Sequence, residues 1–528
     1  MAQSIYFGGP ILTMEEPLYA QALVEENGVI RYVGQLEQAL ELAGPQARKV
    51  DLEGRCLMPA FLDPHSHFMA CANSLLQVQL GECADQEELC RRLGEFVQRE
   101  KLQPGEWVRG TGYDQNDLAQ GCPPDRWMLD RACPDHPVVI QHASGHVGVF
   151  NSRAMELLGV DEHTPCPRGG VMEKDDKGRL TGYMEENAFL SLLQKVPMPD
   201  LKDLMDALVR AQDRYASYGI ATVQEGMFMD AMLPLYQAML AQKILKLDVV
   251  AYADPRDCKN IMEQFGDRVG HYKDHVKIGG DKIFLDGSPQ GRTAWMRQPY
   301  AGESDYRGYP TLTDEQVYER MKSALERDVQ LLAHCNGDRA AEQYLSVMER
   351  LERETGRRLR RPVMIHAQLV GRDQLPRLKA LGMIPSFFVA HVYHWGEVHV
   401  KNFGLERAEH ISPAGTACAL GIPFTFHQDS PVIQPNMMET VWCAVNRRTK
   451  TDRLLGEEER ISTLEALKAV TVYAAYQYFE EDRKGSLAVG KAADFVILGQ
   501  DPLTADPMAL RDIPVLETIK DGRTIWPC

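Results

Sequence analysis

Long apolar runs are missing from this 528-residue sequence: no stretch of about 18 consecutive apolar residues occurs, so no membrane-spanning helix is expected. Cys-x-x-Cys pairs and zinc-ribbon spacings are absent too. The 12 cysteines are scattered, which excludes a disulfide-stapled scaffold and leaves them reduced and mostly buried. No lysine or arginine run offsets the net charge of -17, and an acidic surface repels phosphates. A nucleic-acid partner is therefore excluded and a small-molecule substrate expected. The opening residues, Met1 to Phe7, lack a basic region followed by an apolar stretch, so no secretory signal is indicated and a cytoplasmic location is expected. Neither an internal repeat nor a low-complexity tract is found.

The length exceeds that of one ordinary domain, and 44% hydrophobic with 25% charged residues suits a soluble globular chain. The organising stretch is Met58-Pro59-Ala60-Phe61-Leu62-Asp63-Pro64-His65-Ser66-His67-Phe68. In an extended backbone side chains alternate with period two, so both imidazoles are expected on the same side, as half of a metal site. Among 15 histidines such a pair also arises by chance; residues far downstream decide.

Residues 1–57 read as short strands at 5–7 and 11–13 around the breaker Gly8-Gly9-Pro10, then at 22–24 and 29–33 joined through Asn27-Gly28, a hairpin signal. Residues 481–528 hold partner strands near 490–498 and 515–519, so the two termini are expected to build one small β-sandwich-like domain. From Phe68 to about Gly219 no buried-strand signal recurs, whereas a βα unit needs only roughly 30 residues. An insertion at about 70–215 follows, with helices at 86–100 and 201–218, an irregular middle, and a role as lid or pocket wall over a barrel mouth. Strand candidates then alternate with helices at 221–224, 247–252, 276–285, 329–334, 363–366, 383–387 and 424–426; the helices include 313–327 and 339–355. With the segment before His65 these make eight, which predicts a (β/α)8 TIM-like barrel over residues 58–480.

In such a barrel the carboxyl ends of the strands converge on one face. His65 and His67 lie on the first strand, Lys282 on the fourth, His334 on the fifth, His366 on the sixth, and Asp429 just beyond the eighth. A single strand-end histidine is ordinarily a hydrogen-bonded core residue. Four histidines and an aspartate at the same topological position point instead to a metal centre.

These residues stand in a series of short motifs: Asp63-Pro64-His65-Ser66-His67, Ser144-Gly145-His146 with Asn151-Ser152, Gly169-Gly170, Gly182-Tyr183-Met184-Glu185, Lys282 to Ser288 with Arg292-Thr293-Ala294, His334-Cys335-Asn336-Gly337-Asp338, Ile365-His366-Ala367-Gln368, Asp429-Ser430-Pro431-Val432 and Gly490-Lys491-Ala492-Ala493-Asp494. In order and spacing the series resembles the metal-dependent amidohydrolase superfamily, specifically the amidohydrolase family 3 branch that contains N-substituted formamide deformylases. The resemblance implies one or two divalent ions of zinc type, with His65 and His67 holding one, His334 and His366 a second, and Lys282 bridging as a carbamate. A free lysine would repel the ions, whereas a carbamate supplies two anionic oxygens. Asp429 is then the expected general base and acid, passing a proton from the attacking water to the leaving nitrogen. The resemblance also sets His146 at the pocket, suited to polarising a carbonyl, along with Tyr113, Asp114, Glu185, Arg292 and Trp295. Asn336 and Asp338, following His334, suit the orientation of that ligand or substrate contact. The sequence departs from the branch pattern at His427, and around His391 and His394, where substrate choice, a proton route or packing are open readings.

The expected activity is hydrolysis of a non-peptide carbon–nitrogen bond in an amide, N-substituted formamide or cyclic amide by metal-activated hydroxide. The alternatives are deamination of a heterocycle, or a barrel that has lost catalysis and serves as a binding or regulatory protein. Barrel hydrolases often associate as dimers, and a homodimer is an expectation for which the residues point to no interface.

Overall fold

Eight strands that share one direction carry the candidate ligands. They are β1 (Phe61–Leu62), β2 (Ile220–Phe228), β3 (Asp248–Ala253), β4 (Val276–Phe284), β5 (Gln330–Cys335), β6 (Val363–His366), β7 (Ile384–Phe387) and β8 (Thr425–Phe426), hydrogen-bonded in that spatial order with every neighbour parallel. The computed structural model describes residues 3–81, 83–115, 118–142, 147–168, 170–197 and 199–527. All six residues of β3 are buried, as expected for a parallel strand covered on both faces. The register levels the ligand-bearing ends: Phe284 opposes His334, His334 opposes Ile365, His366 opposes Phe387, and Phe387 opposes Phe426. No ladder joins β1 to β8 among the described residues, but just beyond them the His67 N–H donates to the Ser430 carbonyl at 2.8 Å.

The opening stretch divides where the sequence suggested one segment. Cys56–Pro59 pairs antiparallel with Phe495–Leu498 in a second sheet, and after Ala60 the chain enters β1. The chain then bends at Pro64 and His65 rather than extending, so the alternation argument for His65 and His67 does not apply as expected. The second sheet joins strands from both ends of the chain in the order Arg523–Pro527, Val515–Lys520, Phe495–Leu498, Cys56–Pro59, Gln3–Leu12, Tyr19–Glu26 and Val29–Gly34, with Arg48–Asp51 beside Gln3–Leu12. The turn at Asn27 (φ 53°) and Gly28 (φ 82°) closes the hairpin as that dipeptide requires. Gly8-Gly9-Pro10, expected to break the first strand in two, only shifts its register between Phe7 and Ile11.

The chain forms two compact units, Met1–Met69 with Ala211–Cys528, and Ala70–Arg210. The second contains the expected helix Gln86–Glu100, but its middle, expected to be irregular, is a six-stranded sheet: Gly170–Lys174, Leu180–Glu185, Val147–Phe150, Val138–His142, Val108–Tyr113 and Val78–Gln79 in spatial order. Leu89, Leu93 and Phe96 of the helix pack with Val108, Val138 and Ile140. Glycines disguise these strands. A Cβ at Gly110 would lie 2.5 Å from Leu80, so the residue is glycine for close approach, not for a turn.

Candidate metal centre

Six residues singled out in the sequence as metal ligands gather at the carboxyl end of the parallel sheet. Asp429 Oδ1 lies 3.3 Å from Nε2 of His65 and 3.3 Å from Nε2 of His67, and Oδ2 lies 3.9 Å from Nε2 of His366. Lys282 Nζ is 3.4 Å from His65 Nε2. His366 Nε2 is 3.1 Å from His334 Nδ1. Ring centroids of His65 are 5.2 Å from His67 and 5.5 Å from His366.

Burial dominates the electrostatics. It pushes His65 down to about 4, aided by the Lys282 amine and opposed by Asp429, and pushes His334 down to about 3 with the same help from Lys282. His366 is held well below the ordinary histidine range, first by burial. The same burial brings the Lys282 amine down to about 7. For Asp429 burial works toward a higher pKa, but the neighbouring imidazoles of His65, His67 and His366 outweigh it and leave the carboxyl well below its usual range. The result is neutral imidazoles at His65, His334 and His366 beside an anionic carboxylate.

Other side chains hold these ligands in place. Gln224 Oε1 is 2.6 Å from His65 Nδ1, while its amide nitrogen donates to Pro64 O at 2.6 Å. An amide oxygen accepts, so the His65 proton sits on Nδ1 and the Nε2 lone pair faces the cluster. Gly226 leaves room for this ring: a Cβ there would lie 2.7 Å from His65 Cε1. His427, fully buried, places Nε2 at 3.1 Å from His366 Nδ1 and Nδ1 at 2.8 Å from Ser386 Oγ. It is a fifth imidazole of the cluster, orienting His366 from behind. The sequence flagged it only as a departure and assigned it no role. Gln224 was passed over as a strand residue; a glutamine inside an apolar strand is the signal that could have found it. Asp286 accepts from the backbone N–H groups of Asn336 (3.0 Å), Gly337 (2.7 Å) and Trp295 (3.0 Å), tying the loop after β4 to the loop after β5. Asn336 Nδ2 lies 3.0 Å from His334 Nε2, while the Asp338 carboxylate accepts from the Arg297 N–H at 2.7 Å instead of meeting the cluster.

The weaker substrate candidates divide between the two units. Arg292 pairs with Glu303 at 2.9 Å and lies over Tyr300, and Trp295 lies against Arg339; both belong to the loop after β4. Tyr113, Asp114 and Glu185 belong to the inserted unit, where Asp114 lies 3.4 Å from His142, Tyr113 packs edge-on against that ring, and Glu185 accepts from the Tyr183 hydroxyl at 2.8 Å. Tyr113 is fully buried. His146 lies outside the described residues, as do Ser144 and Gly145.

The donor set fits a divalent cation. Among the described residues Asp429 Oδ1 is buried without a well-formed hydrogen bond, although two imidazole nitrogens stand at 3.3 Å. His65, His366 and Asp429 each offer a ligand atom within 4.8 Å of one another. Neutral imidazole and carboxylate are the ligand types that zinc-like ions take. Such a cluster at the carboxyl end of a parallel α/β sheet is the arrangement of a metal-dependent hydrolase. A family model described as "Amidohydrolase family" matches residues 48–526, and the chain belongs to that family. It is similar to an N-substituted formamide deformylase of Arthrobacter pascens, at 27% identity over 95% of this chain and 94% of the relative. It is equally similar, at 27%, to the protein LONG AFTER FAR-RED 3 of Arabidopsis thaliana, over 100% of this chain and 92% of that one. Among solved structures, an uncharacterized metal-dependent hydrolase from Pyrococcus horikoshii OT3 matches with a TM-score of 0.79 and 27% identity, covering 96% of this chain and 99% of its own.

Proposed function

We propose that this amidohydrolase cleaves a non-peptide carbon–nitrogen bond in an amide, N-substituted formamide or cyclic amide. The observation that carries the reading is the anionic Asp429 carboxylate held 3.3 Å from two imidazoles, His65 and His67, in a cluster with the buried Lys282, His334 and His366. His65, His67, His334 and His366 would hold one or two ions of zinc type, and Asp429 would touch both ion and water. When bound, such an ion lowers the pKa of water toward neutrality and polarises a carbonyl. Asp429 takes a proton from the attacking water, whose oxygen bonds to the carbonyl carbon. When the carbon–nitrogen bond breaks, Asp429 returns that proton to the nitrogen, so a carboxylic acid and an amine leave. The Lys282 amine, brought down to about 7 by burial, is available in neutral form to attack carbon dioxide and lose a proton, giving a carbamate. The bond from His67 N–H to Ser430 O and the contacts of both histidines with Asp429 link the segments after β1 and β8, which supports a closed (β/α)8 barrel. Similarity to the Arthrobacter deformylase supports formamides as the first compounds to try.

The test is metal analysis of the purified chain together with a panel of amides and N-substituted formamides, scored for free carboxylate and for ammonia. Metal-dependent release of carboxylate is expected, and Asp429→Asn should lower the rate by about a thousandfold while leaving the fold intact. Near-normal turnover in that variant removes the role assigned to Asp429; ammonia release without carboxylate replaces the reading with a deaminase.

A further inference from the structure

Next to the ligand cluster lies a second buried group of imidazoles that the hydrolytic reading leaves unused. Phe388, one residue past β7, has its ring 5.3 Å from His427 and 6.2 Å from His366, and 4.4 Å from His391. His391 opens the helix His391–Phe403, whose first turn is set off by a non-helical Trp395 at φ -132°. His391 Nδ1 is 3.0 Å from Nε2 of His399, which is fully buried and whose own Nδ1 has no hydrogen-bond partner among the described residues. We propose that His391 is a substrate-binding residue whose Nε2–H, fixed in that tautomer by His399, donates to an uncharged oxygen acceptor of the substrate beside the metal centre; this rests on the hydrolase reading above.

The tautomer follows from the pair. Burial holds His399 down to about 3 and His391 well below the usual range, so both rings are neutral and one proton lies between them. A proton on His399 Nδ1 would be a buried donor with no acceptor, which folded proteins avoid more strictly than a bare lone pair. His399 therefore donates through Nε2 to His391 Nδ1, and the single His391 proton is on Nε2. That nitrogen makes no hydrogen bond to the described residues, and His391 as a whole is 4% exposed. Phe388 at 4.4 Å and Trp395 at 4.5 Å wall the ring with aromatic surface, while Glu439, paired with His394 at 3.0 Å, disfavours an anionic ligand. A carbonyl oxygen carried on an aromatic or apolar part of the substrate fits; a carboxylate does not.

Wild type, His391→Phe, His391→Gln and His399→Phe, all metal-loaded, decide it. Imidazole nitrogen NMR of the wild type should place the His391 proton on Nε2, and titration with acetanilide should shift that signal whether or not the compound is turned over. On whichever panel compound the wild type hydrolyses, His391→Phe should raise KM about tenfold with metal content kept and kcat little changed, and His391→Gln should recover most of the loss. In His399→Phe, where His399 acts as a positioning residue, the His391 signal should split between both tautomers and KM should rise by less. A proton on Nδ1, an acetanilide titration that leaves the signal unmoved, or an unchanged KM in His391→Phe overturns the proposal. Failure of the wild type to hydrolyse any panel compound overturns the hydrolase reading instead, while the NMR titration still judges His391.

Discussion

Asp429 and His366 carry their side chains on backbone at φ 55° and φ 71°, a left-handed conformation that non-glycine residues adopt at a cost and keep where the surroundings enforce it. Both belong to the ligand cluster, so the strained backbone coincides with the chemistry. Room for a ring matters equally at this scale. Gly226→Ala would put a methyl group 2.7 Å from His65 Cε1, and the displaced imidazole should weaken metal binding by about tenfold to a hundredfold, measured by competition with a chelator. Lys282 offers a spectroscopic check: labelled carbon dioxide should yield a carbamate carbon signal in the wild type that is lost in Lys282→Ala, together with metal. The clustered candidate ligands were legible in the sequence because each is a chemically distinctive type at a strand end. His427 and Gln224 were not, because their importance lies in a partner more than sixty and about one hundred and sixty residues away, at 3.1 Å and 2.6 Å.

Among the elements, all eight parallel strands were readable as short apolar runs, since a strand buried on both faces leaves little choice of side chain. The six strands of the inserted unit were hidden, since Gly110, Gly112 and Gly148 read as loop residues; a Cβ at Gly148 would meet the Phe189 ring at 2.2 Å. The helix Met437–Asn446, which follows Asp429, ends on Arg447, a fully buried arginine donating to the carbonyls of Leu455 (2.8 Å), Ser412 (3.2 Å) and Ile411 (2.8 Å). Among the described residues, Arg447→Met would leave the buried carbonyls of Leu455 and Ile411 without donors, while Ser412 O keeps the Ala414 N–H at 2.7 Å. A loss of about 3 kcal/mol in urea unfolding is expected, with the metal ligands themselves untouched.

At the scale of the first unit, a buried charge network joins β3 to the carboxyl-terminal strands. Asp248 accepts from Lys484 at 2.5 Å and lies 3.2 Å from Lys520, which also meets Asp494 at 3.3 Å; Asp248, Lys484 and Lys520 are all nearly inaccessible. Burial pushes the Asp248 pKa upward, but the two amines outweigh it and hold the carboxyl well below its usual range. Asp248→Asn would leave two buried ammonium groups short of a counter-charge, at a cost of about 3–5 kcal/mol. A depressed folded pKa means the stabilisation is present above about pH 4 and is lost as pH falls toward the folded value, so the variant should lose less stability on acidification than the wild type. Urea titrations at neutral and acid pH measure both effects.

The order of apolar strands, the residue types at their ends and the acidic, run-free composition were determined by the sequence itself, because they depend on local burial and on chemistry carried one residue at a time. Only the tertiary structure decided which nitrogen of each imidazole faces the cluster, which glycines are spacers inside strands, and that His427 stands behind His366. Those outcomes depend on contacts of about 3 Å between residues distant in the chain, and a distance of that kind is set by packing rather than by any local pattern.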